Sequence, residues 1–313
     1  MRREGRPVPD RPGEIRACLV VRNEMLRLES VFQHHRELGV DRFLVIDDDS
    51  TDGTREFVAD QPDAHLFPGE GGYGASRSGL DWTNALLDQH GDGHWVLTID
   101  ADELFVFPGC DRVDLAGFCD FLDGQGAEGV LALLLDMFGP GRLSDAIHQP
   151  GGSLIETCPW FDPGPYRAVR AGPFPHLQFH GGPRARLFDF APMQPRPPVL
   201  SKVPLVKWRR GRRYLLSTHG ITPLALPPML AALLHFKFLS DFPERVDVAV
   251  AEAQHYGGAQ EYVAYRNGLD AGGALVVRDE RSLRYEGLHQ LEAHELMQAS
   301  DAYLDFLASR QAE

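Results

Sequence analysis

The chain has 313 residues, 43% of them hydrophobic and 24% charged, which suits one large or two ordinary globular domains with room for a real core. Its formal charge of -14 makes the surface repel nucleic acid, so DNA and RNA are excluded as partners. No run approaches the roughly 20 apolar residues that cross a bilayer. Residues 1–16 are polar and lack the apolar centre of a secretory signal, so the expected location is cytoplasmic, with peripheral membrane contact left open.

Residues 1–13 read as a polar tail, disordered or loosely attached. Residues 15–21 (IRACLVV) form the first strand. An amphipathic helix follows over 25–38, with Leu28, Val31, Phe32, His35 and Leu38 on one face and Gly39 as its stop. A strand over 40–47, a helix over 54–60, a third strand over 64–67 and a helix over 75–89 lead into a strand over 94–99. Strands alternating with helices mean βαβ units and a largely parallel sheet. Past Glu103 the spacing predicts a strand at 104–107, a helix at 115–122 and a long buried strand at 129–137. Residues 139–175 are rich in Gly and Pro, and so long a loop is functional or disordered. Strands are expected at 184–190, 201–208 and 214–219, the last two joined by a basic run at 209–213. Ala- and Leu-based helices fill 241–309. The expected organisation is a polar tail (1–13), an α/β domain with a mostly parallel sheet flanked by helices (14–240) and a helical C-terminal region (241–313). Cys18, Cys110, Cys119 and Cys158 show no CxxC pairing, which suits reduced, packed thiols.

The stretch 94–103 (HWVLTIDADE) is an apolar run that ends in three carboxylates, Asp100, Asp102 and Glu103. Ligands of open α/β sheets bind just beyond the carboxyl ends of the strands. The spacing lets Asp100 and Asp102 face one hard cation, and oxygen ligation suits Mg²⁺ or Mn²⁺. The plainer alternative is acids that cap a strand and meet solvent. The second site, 47–54 (DDDSTDGT), also follows a strand and opens a helix. Ser50 and Asp52 suit helix caps and Gly53 a turn. Asp47 and Asp48 are left over, and acceptance from a nucleobase N–H or a ribose hydroxyl would offset their repulsion. Arg22, Asn23 and Glu24, at the end of the first strand, line the same crevice or simply start a helix.

In order and spacing, VVRNE (20–24), the helix carrying His34 and His35, DDDSTDGT (47–54) and Asp100-Ala101-Asp102-Glu103 resemble the glycosyltransferase family 2 superfamily with the GT-A fold. The soluble bacterial branch, related to family 92, is the nearest. The likeness covers the first third of the chain and extends more loosely through GGPRARLF (181–188), KVPLVKW (202–208), His219 and LHFKFLSDF (234–242). Asp49 stands where family 2 has Gly, and no Glu-Asp or Gln-x-x-Arg-Trp motif is found. The resemblance implies a GT-A-like, Rossmann-type fold, a nucleotide-sugar donor (a UDP-sugar above all), a saccharide or other hydroxyl acceptor, and a divalent metal. It implies Asp102 and Asp100 on the metal and diphosphate, and Asp47 and Asp48 at base and ribose, beside Arg22, Asn23 and Glu24. It also implies a late histidine, His235 or His219, on the metal; each also reads as a satisfied core or loop residue, for His219 equally, and His235 is the preferred of the two. Lys237, Arg184 and Arg186 could contact phosphate. A metal there neutralises charge that grows on the leaving diphosphate. Inverting transfer further needs a base, for which Asp136 and Asp162 are the candidates and Asp189 a third.

Two other functions stay open. Residues 69–74 (GEGGYG) fit G-x-G-x-x-G between a strand and a helix, as in a dinucleotide (NAD)-binding oxidoreductase. Against this, Pro68 interrupts the strand, the strand is third in its unit, and Asp100 lies beyond the usual spacing of about 20 residues. A non-catalytic nucleotide-sugar-binding domain is the other. The 209–213 run is a solvated hairpin turn or a contact for an anionic acceptor or membrane surface. Trp160, Phe161 and Tyr166 stack on a sugar ring or pin their loop.

Overall fold

Strand β1 (Ile15–Val21) is buried along nearly its whole length, as an apolar run inside a parallel sheet must be. It leads into α1 (Met25–Leu38), whose expected face of Leu28, Val31, Phe32, His35 and Leu38 is buried. Gly39 ends the helix at φ 109°, where a side chain would be strained. β2 (Arg42–Asp47), α2 (Thr54–Asp60), β3 (Ala64–Pro68), α3 (Leu80–His90) and β4 (Trp95–Thr98) complete this half. β1 pairs in parallel with β2 and β4, and β2 with β3, in the order β3-β2-β1-β4. All four carboxyl ends therefore share one edge.

The computed structural model describes residues 6–170, 176–190, 198–254, 256–272 and 274–310; residues 1–5 of the expected tail and 171–175 of the irregular segment lie outside these. The chain continues through β5 (Glu103–Val106), α4 (Leu115–Gly124), β6 (Gly129–Phe138), α5 (Leu154–Thr157), β7 (Trp160–Phe161), β8 (Tyr166–Val169), β9 (Gln178–Gly181) and α6 (Gly182–Leu187). Then come β10 (Ser201–Lys207), β11 (Tyr214–Leu215), β12 (Ser217–Ile221), β13 (Ala231–Phe238), α7 (Phe242–Glu252), α8 (Gln260–Gly272), β14 (Leu283–Arg284), α9 (Leu288–Ala293) and α10 (Asp301–Arg310). β10 runs antiparallel between β4 and β6, while β13 lies parallel to β6 and antiparallel to β5. The ten-stranded sheet is parallel in its β1–β4 half and mixed in the other. With its flanking helices it has the α/β class expected. A second, aromatic core cluster of Phe138, Phe188, Phe238, Phe242 and Tyr265 packs α6 to α8 on the ends of β6 and β13.

Several expectations are corrected. The helix expected from residue 75 starts at Leu80, because Arg77, Ser78 and Gly79 hold φ values of 53°, 59° and 79°, which no right-handed helix accepts. The strand expected over 184–190 begins instead as helix α6, opened by Pro183. Its turn aims Arg184 at Asp136 and Arg186 at Asp162, each 2.8 Å away. The tail is not loose where it is described: His94 Nε2 lies 2.9 Å from Asp10 Oδ1, and the buried Arg16 donates to the Pro9 carbonyl at 2.9 Å. The C-terminal region contains strand β14 as well as helices. In the basic turn, Arg212 and Arg213 are paired with Glu128 and Asp88 at 2.8 and 2.7 Å, which neutralises much of the run. Among the described residues, no helix is long and apolar enough to cross a membrane.

Candidate functional site

Three stretches meet at the carboxyl ends of β1, β2 and β4, and the first two lock each other. Ser50 Oγ accepts from the Asn23 N–H at 2.9 Å, Thr54 Oγ1 from the Glu24 N–H at 2.9 Å, and Asp52 Oδ2 from the Met25 N–H at 3.0 Å. Asn23 Oδ1 accepts in return from the Thr51 N–H at 2.7 Å. The residues read as caps thus serve the start of α1, where helical N–H groups lack partners, as well as α2.

The polar side chains of the two stretches have distinct surroundings. Asp47 is buried, its Oδ2 2.7 Å from Arg55 and its Oδ1 without a hydrogen-bond partner among the described residues. Asp48 lies 3.7 Å from Arg22, and burial raises its pKa against the pull of that guanidinium. Arg22 is bidentate to Glu252, at 2.8 Å on both nitrogens. Glu24 receives Arg245 at 2.8 and 2.7 Å. Both pairs tie α7 to the end of β1, so Arg22 and Glu24 are engaged in holding the rim together.

Past β4 the two aspartates diverge. Asp102 Oδ2 faces His235 Nε2 of β13 at 3.4 Å. Asp100 Oδ2 lies 2.6 Å from Lys202 Nζ, which also reaches Glu103 Oε1 at 2.5 Å. Among the described residues, Asp102, Glu103 and His235 form the group whose ligand atoms all lie within 4.8 Å of one another. Two of the four expected metal contacts, Asp102 and His235, therefore come together, while Asp100 and His219 stand outside that group. His219 Nδ1 donates to the Ser201 carbonyl at 2.9 Å, and burial, reinforced by Lys202, lowers its pKa to about 3. Glu103 was legible only as the third acid of the same run.

The donor set fits a divalent ion. Carboxylate and imidazole atoms 3.4 Å apart lie within twice the usual ion–ligand distance of roughly 2.1 Å. The ring of His235 is fixed from behind, its Nδ1 2.6 Å from Asp136 Oδ1, which leaves Nε2 as the forward nitrogen. Asp136 Oδ2 in turn accepts from Arg184 Nε at 2.8 Å. Burial would raise the pKa of Asp136, but Arg184 and His235 outweigh it and bring it to about 2. Burial likewise opposes a charge on His235 and on Asp102. Each carries the other past it, so the histidine pKa is raised and the aspartate pKa lowered.

The two base candidates are committed elsewhere. Asp136 is buried between His235 and Arg184. Asp162 is buried too, with Oδ2 on Arg186 at 2.8 Å and Oδ1 accepting from Ser282 Oγ at 2.9 Å. A base must reach the acceptor's proton, and neither carboxylate is turned outward to do so. Asp136 orients His235 instead. Among the aromatics of the same loop, Trp160 is covered by the Arg278 guanidinium 3.7 Å from its ring centre, and the Tyr166 hydroxyl donates to the Asp162 carbonyl at 3.0 Å. They pin the loop.

The G-x-G-x-x-G run borders this constellation: the Gly69 N–H donates to the Asp47 carbonyl at 2.7 Å, and burial, reinforced by Asp100 and Asp48, raises the pKa of Tyr73. Gly69 packs on the Trp82 ring, where a Cβ would come within 2.6 Å, and Trp82 Nε1 donates to the Glu70 carbonyl at 2.9 Å. The run follows β3 at the sheet edge and reaches α3 only through turns. A dinucleotide fingerprint instead opens a helix directly after the first strand of the unit.

No protein-family model and no curated protein matches this sequence. Solved structures align along most of it at low identity. A UTP-bound UGPase from Acinetobacter baumannii is 9% identical, covers 95% of this chain and 93% of its own, and has a TM-score of 0.27. A UDP-glucose pyrophosphorylase of the same organism is 10% identical over 88% of this chain and 87% of its own, with a TM-score of 0.29. A 4-diphosphocytidyl-2C-methyl-D-erythritol synthase is 12% identical over 90% and 97%, with a TM-score of 0.29.

Proposed function

We propose that the chain is a metal-dependent glycosyltransferase that moves a sugar from a nucleotide donor, a UDP-sugar, to a hydroxyl acceptor with inversion. The observation behind this reading is one edge of the sheet that gathers Arg22, Asp47, Asp48, Asp100 and the Asp102–His235–Asp136 line. Asp102 and His235 would hold Mn²⁺ or Mg²⁺, which when bound stabilises the charge growing on a departing diphosphate. Asp47 Oδ1, an acceptor without a donor among the described residues, and Asp48 suit the N–H and hydroxyl groups of a nucleoside. Arg22, released from Glu252, suits phosphate, since a guanidinium that grips a carboxylate with two nitrogens grips phosphate the same way.

The test is UDP release from a panel of UDP-sugars with Mn²⁺, with and without saccharide acceptors, alongside melting shifts with UDP plus Mn²⁺ and with NAD. Turnover that disappears in Asp102→Asn supports the reading. Stabilisation by NAD alone would replace it with the oxidoreductase, and UDP-sugar binding without any turnover with a binding domain.

A further inference from the structure

Lys202 is 1% exposed, yet it lies beside the most open acid of the site, Asp100, whose side chain is 54% exposed. Strand β10 brings it there by running antiparallel between β4 and β6. Its Nζ spans Asp100 Oδ2 at 2.6 Å and Glu103 Oε1 at 2.5 Å. The arrangement closes on itself, because Glu103 Oε2 accepts from the Asp100 N–H at 3.0 Å. An ammonium is donor-only, so it suits a place where carboxylate oxygens converge. Both oxygens of Glu103 are thus taken, although the residue is close enough to Asp102 and His235 to share an ion. Three acids in four consecutive residues would otherwise repel one another and any diphosphate brought near them.

We propose that Lys202 is a positioning residue: a built-in counter-cation that fixes the Asp100 carboxylate at the rim, withholds Asp100 and Glu103 from metal ligation, and leaves the crevice a single divalent-ion site at Asp102 and His235. This rests on the metal reading above. It assigns the two aspartates of the Asp-Ala-Asp run different tasks. Asp102 binds the ion, while Asp100 keeps its second oxygen free to accept a hydrogen bond from the ligand.

The test uses Mn²⁺ alone, its binding followed by paramagnetic resonance, together with melting in EDTA and in Mn²⁺. The unaltered chain binds one Mn²⁺. Asp100→Asn, an isosteric change at an exposed side chain, keeps that affinity, whereas Asp102→Asn loses it. Lys202→Met releases Asp100 and Glu103, so it takes up additional Mn²⁺ and its melting temperature falls in EDTA and recovers with the ion. Lys202→Arg, which restores the charge, behaves like the unaltered chain. Loss of Mn²⁺ binding in Asp100→Asn equal to that in Asp102→Asn would overturn the proposal. So would a Lys202→Met protein with unaltered stoichiometry and no cation dependence of melting. If Lys202→Met does not fold, Asp100→Asn decides. If the unaltered chain binds no Mn²⁺ the metal reading falls, and the EDTA and Mn²⁺ melts of the two Lys202 variants still judge the lysine.

Discussion

His235 and Asp136 face each other in direct register on neighbouring parallel strands, with Nδ1 and Oδ1 2.6 Å apart. The pair forms the middle of a buried line of alternating charge, from Asp102 through His235 and Asp136 to Arg184. Each member depends on the next, because a buried charge is tolerable only when paired.

Asp136→Asn should therefore act twice. Among the described residues it leaves Arg184 with Glu261, at 3.5 Å, and breaking a buried pair costs about 3–5 kcal/mol of stability. It also frees the His235 ring to turn, and losing the carboxylate behind a ligand histidine weakens metal binding roughly 10- to 100-fold. Urea unfolding and Mn²⁺ titration read the two effects separately. An Asn variant unchanged in both would show that the carboxylate does not position the ring.

His34 and His35 should make stability fall in mild acid. His34 Nε2 donates to the Phe105 carbonyl at 2.8 Å, while His35 Nε2 accepts the Phe105 N–H at 3.2 Å and His35 Nδ1 donates to the Val31 carbonyl at 2.7 Å. These bonds fix His35 as a neutral ring. Burial lowers both pKa values below 6.5, for His35 well below, where proximity to His34 adds to the effect. The unfolded chain then takes up protons before the folded one does. Stability is full above that value and is lost as pH falls from it toward the folded pKa values. Urea unfolding at about pH 7.5 and about pH 5.5 should show the loss. His35→Leu should flatten it while costing about 1–3 kcal/mol at the higher pH, because the buried Phe105 N–H loses its acceptor. An equal slope in variant and parent would rule His35 out as its source.

Arg22 and Glu252 form a partly exposed pair, at 41% and 30%. Glu252→Gln should change stability by less than about 1 kcal/mol. It removes the internal anion that competes for Arg22, so UDP-sugar affinity should rise by up to about fivefold, the equivalent of such a pair. Calorimetric titration checks this, and weaker binding would mean that Glu252 helps to hold the ligand rather than displacing it.

The thiols should be inert in the native chain. Burial pushes the pKa of Cys18 and of Cys158 up to about 12 and that of Cys110 up to about 11, and it raises Cys119 as well. Since the thiolate is the reactive form, a disulfide reagent near neutral pH should label the folded chain slowly and the denatured chain at all four positions. Rapid labelling of the folded chain would contradict the burial.

Local periodicity was enough for the parallel half. The bounds 15–21, 25–38 and 54–60 are those of β1, α1 and α2, because alternating apolar runs, a Gly stop and short turns are written within a few residues of one another. The same locality placed Asp47, Asp48, Asp100 and Asp102 at strand ends. It could not divide their work. That Asp100 belongs to Lys202 and Asp102 to His235 was decided by β10 inserting beside β4 and by β13 pairing with both β5 and β6. Strand partners so remote in sequence leave no trace in the spacing of apolar residues, since a strand's pattern records which face is covered and not what covers it. For the same reason Asp136 read as a free acid at a strand end, and only the packed structure, which sets His235 and Arg184 against it, makes it a support.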